Sequence, residues 1–244
     1  MSVQLKSTKG GGSDGVKILC FGESGAGKTL AIRGLPNPMI LSTEKGLLSL
    51  ADFDLPYEAI DSIEKLDEVY DFIVNDPVGK QFESIALDSI TDIAEVCLNA
   101  EKKKSADGRA AYGNMNDVVA ERIRKFRDLP GRNIYMTAQL DKVQDERGKV
   151  LYGPSMPGKT LTQSLAFFFD IVLALRVESV ADAEAPGGFK VMRMFQTQTD
   201  GLWQAKNRGG RLEMWEEPDL GAVIRKVRGT AELANGGMAK AGVK

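Results

Sequence analysis

Residues 22-GESGAGKT-29 constrain this chain more than any other stretch. The pattern G-x-x-x-x-G-K-T belongs where a strand gives way to a helix, and its flanks here have that form. The apolar run 16-VKILCF-21 precedes it, and a helix from about Gly27 to Gly34 is expected after it, stopped by Pro36 and Pro38. Gly22, Gly25 and Gly27 let the backbone around Glu23, Ser24 and Ala26 curl so that its N–H groups point at phosphate oxygens. The helix N-terminus adds the positive end of a dipole. In that setting Lys28 reaches the β- and γ-phosphates of a nucleotide, and the Thr29 hydroxyl can ligate Mg2+.

A nucleotide-bound metal needs a carboxylate, and 85-IALDS-89 carries Asp88 at the end of an apolar strand. Open α/β sheets bind ligands at the carboxyl ends of their strands. Asp88 there either holds Mg2+, directly or through water, or caps the helix that follows, as Ser89 also can. Glu44 closes the next apolar run, 39-MILST-43, and either polarises an attacking water or complements the dipole of a short helix. Gln139 ends 133-NIYMTAQ-139 and either senses a γ-phosphate or makes an ordinary strand exit. No N/T-K-x-D element follows a late strand, which favours ATP over GTP, and the 140–160 connection has no acceptor-pocket signature of a small-molecule kinase.

Elsewhere strands alternate with helices. The pattern predicts helices over 62–76 (capped by Ser62), 90–104, 115–129 and 218–227, a polar loop over 105–114, a long connection over 140–160, and a strand pair at 170–177 and 189–197. Such alternation implies a mostly parallel sheet with right-handed crossovers. The 244 residues suit one elaborated α/β domain over 15–228, with a disordered arm at 1–14 and a flexible tail at 229–244. With no histidine and two cysteines at no metal-like spacing, His-based zinc sites, Ser-His-Asp triads and Cys-His dyads are excluded. A net charge of −2 argues against a bulk basic nucleic-acid binder, so any such surface is local. There is no apolar run of ~18 residues and no leader-like segment, so a cytoplasmic protein without a membrane span is expected.

The ordered set of P-loop, Glu44, Asp88-Ser89, Gln139 and 206-KNRGG-210 resembles the RecA-like ATPase core. By itself K-N-R-G-G reads equally well as an exposed turn. It is similar to the K-N-R-F-G motif of RadA-type proteins and the K-x-R of DnaB-type helicases, whose lysine and arginine enter a neighbour's ATP site. The small size and the later 208-RGGRLEMWEEPDL-220 resemble phage-encoded Sak-type single-strand annealing ATPases. The resemblance implies a P-loop α/β fold with a mostly parallel central sheet, flanking helices and a C-terminal antiparallel hairpin. It implies Mg-ATP held by Lys28, Thr29 and Asp88, Glu44 as catalytic glutamate, Gln139 as γ-phosphate sensor, and Lys206 and Arg208 as fingers acting between subunits of a ring or filament.

Two loops of that family face DNA. The matching regions here offer Lys102, Lys103, Lys104, Arg109 and Tyr112, and Lys142, Arg147, Lys149, Tyr152 and Lys159. Cations among glycines with an occasional aromatic suit a single strand, through phosphate attraction and base stacking. The implied work is DNA-stimulated ATP hydrolysis with annealing or recombination in a phage setting. The implied partners are single-stranded DNA, further copies of the chain and a single-strand-binding protein. A helicase-loader or motor ATPase and a nucleotide-gated scaffold with little hydrolysis stand as alternatives. Lys45-Gly46 follow Glu44 where the RadA pattern has further acids.

Overall fold

The structure, a computed structural model, describes residues 15–44, 47–104, 107–144 and 147–229. The arm expected at 1–14 and the tail expected beyond Gly229 lie outside the described residues. The first apolar run becomes β1 (Lys17–Gly22), completely buried from Ile18 to Phe21. A strand apolar on both faces needs cover on both, which places it at the centre of a layered fold. There follow β2 (Pro38–Ser42), β3 (Tyr57–Ala59), α1 (Ile63–Asn75), β4 (Ser84–Asp88), α2 (Ile90–Lys104), α3 (Gly108–Arg127), β5 (Asn133–Gln144) and β6 (Val150–Ser155). The chain ends with α4 (Lys159–Ser164), β7 (Ile171–Ala181), β8 (Phe189–Gln196), β9 (Lys206–Asn207), β10 (Trp215–Glu216) and α5 (Leu220–Arg228).

Parallel strands run in the order β7-β1-β5-β4-β2-β3. Antiparallel β8 and β10 continue the sheet beyond β7, β6 folds back on β5, and β9 joins the start of β7. Alternate residues feed two cores. Leu19, Phe21, Leu41, Leu87 and Met136 meet Leu66, Ile93, Met115 and Ile123 of α1, α2 and α3. Ile18, Cys20, Ile40, Tyr135 and Leu173 meet Ile32 and, from α5, Val223 and Ile224. Each such fully buried aliphatic or aromatic side chain contributes ~1.5–3 kcal/mol of apolar transfer.

Helix α1 follows the expected pattern, with the Ser62 hydroxyl accepting from the Lys65 amide at 3.2 Å. Four expectations are corrected. The stretch after the P-loop is a single 3₁₀ turn over Leu30–Gly34, with no α-helix from Gly27. At Gly34 a Cβ would lie 3.1 Å from Asp219 Oδ1 and 3.2 Å from the Leu220 amide, so the start of α5 presses on the end of that turn. Residues 108–114 are helical. Asp107 caps α3 by accepting from the Arg109 amide at 2.9 Å, and buried Ala111 and Met115 draw the glycine-containing first turns onto the core. The connection after Gln139 is a β-hairpin, registered from Gln139↔Ser155 to Gln144↔Val150. The last helix begins at Leu220, after Asp219, whose carboxylate accepts from the Ala222 amide at 3.0 Å.

An aromatic stack ties the hairpin to β1. Trp203 lies 6.2 Å from Phe21 and 4.8 Å from Tyr152, ring centre to ring centre. The Arg176 guanidinium sits 4.3 Å from the Trp203 ring and 5.8 Å from that of Trp215. Main-chain bonds from Tyr152 N to Leu202 O (2.7 Å) and from Gln204 N to Tyr152 O (2.8 Å) fix the register. No helix among the described residues is long and apolar enough to cross a membrane.

Candidate active site

The sheet order brings the ends of β1, β2 and β4 to one edge, beside Gln139 of β5 and Leu175 of β7. Gly22 is level with Gln139 on one side and Leu175 on the other, and Asp88 pairs with Ser42. A cleft of about 850 Å³ opens there, lined by the P-loop, Glu44, Asp88, Asp92, Gln139 and Arg193. The strand β5 separates the P-loop strand from the Asp88 strand, which leaves width for a ligand between them.

The P-loop takes its bend at Gly25 (φ +74°) and Gly27 (φ +107°), conformations that L side chains rarely adopt. Nothing lies within 4 Å of where a Cβ on Gly25 would stand, so the loop borders open space. Lys28 Nζ donates to the carbonyls of Gly22 (2.8 Å) and Glu23 (2.9 Å), which arches it back over the loop. Burial lowers the Lys28 pKa, and the nearby Cys20, Asp88, Asp92 and Glu44 oppose that effect. Behind the loop, the fully buried Tyr135 donates its hydroxyl to the Lys28 carbonyl at 2.9 Å. Its own ionisation is pushed well up, chiefly by burial, and burial likewise pushes the adjoining Cys20 thiol up to about 12.

Thr29 Oγ1 donates to Asp88 Oδ2 at 2.6 Å, and the buried Thr137 hydroxyl donates to Asp88 Oδ1. A hydroxyl and a carboxylate oriented this way are hard oxygen donors. They fit Mg2+, which takes one or two protein oxygens and completes its shell with phosphate and water. Among the described residues no cluster of three or more His, Cys, Asp or Glu forms an all-protein metal cage. The 3₁₀ turn that follows is short, so loop N–H groups and Lys28 carry the phosphate site with little help from a helix dipole.

Glu44 is exposed in the cleft, its amide donating to Ser42 Oγ at 3.1 Å. Gln139 Nε2 donates to Asp92 Oδ1 at 3.0 Å, and its amide donates to Thr91 Oγ1 at 3.0 Å. Asp92 also accepts from the Ser89 hydroxyl. Asp92 and Arg193 are site residues that the sequence pattern did not single out. The spacing D-x-x-x-D over 88–92 carries a signal for the first, because the first turn of α2 keeps Asp92 in the same cleft as Asp88. Nothing local marks Arg193, which reaches the site only through the β7–β8 register.

Lys206 and Arg208 lie elsewhere. Strand β9 pairs with Ile171 and Val172, at the start of β7 and level with the start of β1. That is three to four residues, about 10–13 Å, short of Gly22 along the strand direction and a further strand to the side, beyond the reach of either side chain. Lys206, expected to project outward, instead donates to the carbonyls of Ala166 (2.9 Å) and Phe169 (2.5 Å) and closes the turn before β7. Its pKa is lowered, first by burial and then by Arg208. Arg208 is exposed and pairs with Asp170 at 2.9 Å, while Gly210 (φ +64°) supplies the turn behind it.

The residues considered for nucleic acid fall into two groups. At one corner Lys102 Nζ lies 5.4 Å from the exposed Tyr112 ring, a Cβ on Gly158 would be 3.5 Å from Tyr112, and Lys159 opens α4 beside them. Arg109 is in the first turn of α3, Lys103 is in the last turn of α2, and Lys104 pairs with Glu101 at 2.8 Å. The hairpin carries Lys142, Arg147 and Lys149. Tyr152 is half-buried, and its ring stacks on Trp203. A groove of about 370 Å³ lined by Thr91, Glu95, Lys102, Tyr112 and Ser155 shares Gln139 with the nucleotide cleft.

A parallel sheet with a P-loop after β1, an acid at the end of β4 and, between them, β5 carrying Gln139 level with Gly22 defines a RecA-like P-loop ATPase core. Residues 14–209 match the family model described as AAA domain (AAA_24), and the chain belongs to that family. Among solved structures it is similar to a KaiC-like protein from Pyrococcus horikoshii OT3, at 14% identity and a TM-score of 0.43, over 84% of this chain and 88% of that one. No curated protein sequence matches it.

Proposed function

We propose that this chain binds Mg-ATP at the P-loop, hydrolyses it, and uses the cycle to act on single-stranded DNA in annealing or recombination. The observation that carries the reading is one cleft holding the P-loop, the Thr29–Asp88 pair and Gln139, with a groove leading from Gln139 to Lys102 and Tyr112. Lys28 grips the terminal phosphates, and Thr29 and Asp88 hold the metal. When bound, Mg2+ neutralises charge on the phosphate oxygens. Glu44, reaching the cleft from the end of β2, orients the attacking water, and Gln139 responds to the γ-phosphate. Releasing Arg208 from its exposed pair with Asp170 costs at most ~1 kcal/mol, so it is available to a neighbouring copy. A site completed in this way requires a ring or filament. A phage origin and a cooperating single-strand-binding protein belong to the same reading.

The test is ATPase rate with and without single-stranded DNA, alongside particle mass with and without ATP. Stimulation and ATP-dependent assembly are expected. Lys28→Ala abolishes ATP binding, and retained binding would place the phosphate site elsewhere. Mixing Asp88→Asn with Arg208→Ala subunits restores part of the activity if the finger acts between chains. Assembly with ATP but without turnover would instead make the chain a nucleotide-gated scaffold.

A further inference from the structure

The β7–β8 ribbon overhangs the P-loop. Gly22 is level with Leu175, so Val177 lies two residues, about 7 Å, past the end of β1. Arg193 stands opposite Val177 across the antiparallel pair, in an exposed part of β8. Its side chain bends back to β1. Nε donates to the Ala26 carbonyl at 3.2 Å, and a Cβ on Gly27 would stand 3.8 Å from its Cδ. The terminal guanidinium nitrogens make no hydrogen bond among the described residues, and the side chain lines the nucleotide cleft.

The charges in that cleft need a second cation. Its lining carries the acids Glu23, Glu44, Asp88 and Asp92 against Lys28 and Arg193. The Lys28 ammonium is held by two loop carbonyls, and the 3₁₀ turn after the loop is too short to add much dipole. A polyphosphate entering without Arg193 would meet four carboxylates and one lysine. A guanidinium suits this position because its planar fork of N–H groups matches phosphate oxygens and it stays charged at any ordinary pH.

We infer that Arg193 binds the polyphosphate chain of the nucleotide in its own chain's P-loop, with Nε fastened to Ala26 and the terminal N–H groups turned to phosphate oxygens. The inference rests on the ATP reading above. The two arginines then have separate roles, Arg193 setting affinity within one chain and Arg208 serving the neighbour.

The experiment is equilibrium binding of a fluorescent ATP analogue to the wild type, Arg193→Ala and Arg193→Lys, with nucleotide-free melting temperatures measured in parallel. A lost charge-assisted bond to phosphate weakens binding roughly ten- to a hundred-fold in Arg193→Ala, with partial recovery in Arg193→Lys. The melting temperature without nucleotide stays at the wild-type value, because the residue is exposed. Affinity of Arg193→Ala within about twofold of wild type overturns the inference. So does a weakened affinity accompanied by a lowered nucleotide-free melting temperature, which would make Arg193 a support for the loop. Failure of the wild type itself to bind ATP would sink the nucleotide reading before Arg193 is at issue.

Discussion

Thr137→Val isolates the hydrogen bond that aims the Asp88 carboxylate. Thr137 is completely buried and Asp88 is 6% exposed, so water cannot replace a lost partner. Asp88 accepts from the Thr29 and Thr137 hydroxyls, and valine keeps the shape of threonine while removing the second donor. A hydrogen bond to a charged group is worth about 1.5–3 kcal/mol, and that is the expected loss of folding stability. For a chain of this size it corresponds to a melting temperature lower by about 3–12 °C. Urea titration followed by circular dichroism, without nucleotide, measures it as a lower midpoint at unchanged slope. Thr137→Ser keeps the hydroxyl and stays near wild type. The magnesium concentration needed for half-maximal ATP binding rises in Thr137→Val, because Asp88 can swing. The reasoning is refuted if Thr137→Val melts with the wild type, or if Thr137→Ser is destabilised as much as Thr137→Val. The second result would assign the cost to packing.

Two further outcomes can be checked. The Cys20 thiol is raised to about 12 in the folded chain from 9.0 when free, so folding favours its protonated form. That contribution is complete below pH 9 and is lost as the pH rises towards 12. Stability therefore falls above pH 9 by up to ~1.4 kcal/mol per pH unit for this group, and Cys20→Ala lessens the slope between pH 9 and 10 in denaturation midpoints. Asp170→Asn removes only an exposed pair, at 62% and 41% side-chain exposure, and should cost under ~1 kcal/mol while leaving ATPase activity in assembled protein intact. An activity loss equal to that of Arg208→Ala would show that the carboxylate itself is needed.

The features legible in the sequence were those that depend on a short run of backbone. The P-loop, Asp88, Gln139 and the Ser62 cap each follow from residues within one or two turns of each other. The same local pattern misplaced 108–114, because Gly108 and Gly113 speak for a loop while the burial of Ala111 and Met115 decides for a helix. The hairpin after Gln139 was hidden because 140-LDKVQ-144 does not alternate and Gly153 and Pro154 in β6 speak against a strand. Lys206 looked like a finger because its carbonyl partners at Ala166 and Phe169 come from a turn about forty residues earlier that only the β9–β7 pairing brings near. Arg193 needed register across two strands, which no composition or spacing reveals.

Trp203 touches both the strand that leads into the P-loop and the β5–β6 hairpin. One neighbour, Phe21, is the residue before the first glycine of the phosphate loop, and the other, Tyr152, belongs to the β5–β6 hairpin. An indole wedged between them is an intrinsic optical gauge. Sliding the hairpin by the thickness of one ring unstacks it and changes its emission. The only other tryptophan, Trp215, is 42% exposed and emits from a wetter setting, so the two signals separate by wavelength. The unlabelled protein can thus report, in real time, whether filling the phosphate loop is felt at the β5–β6 hairpin.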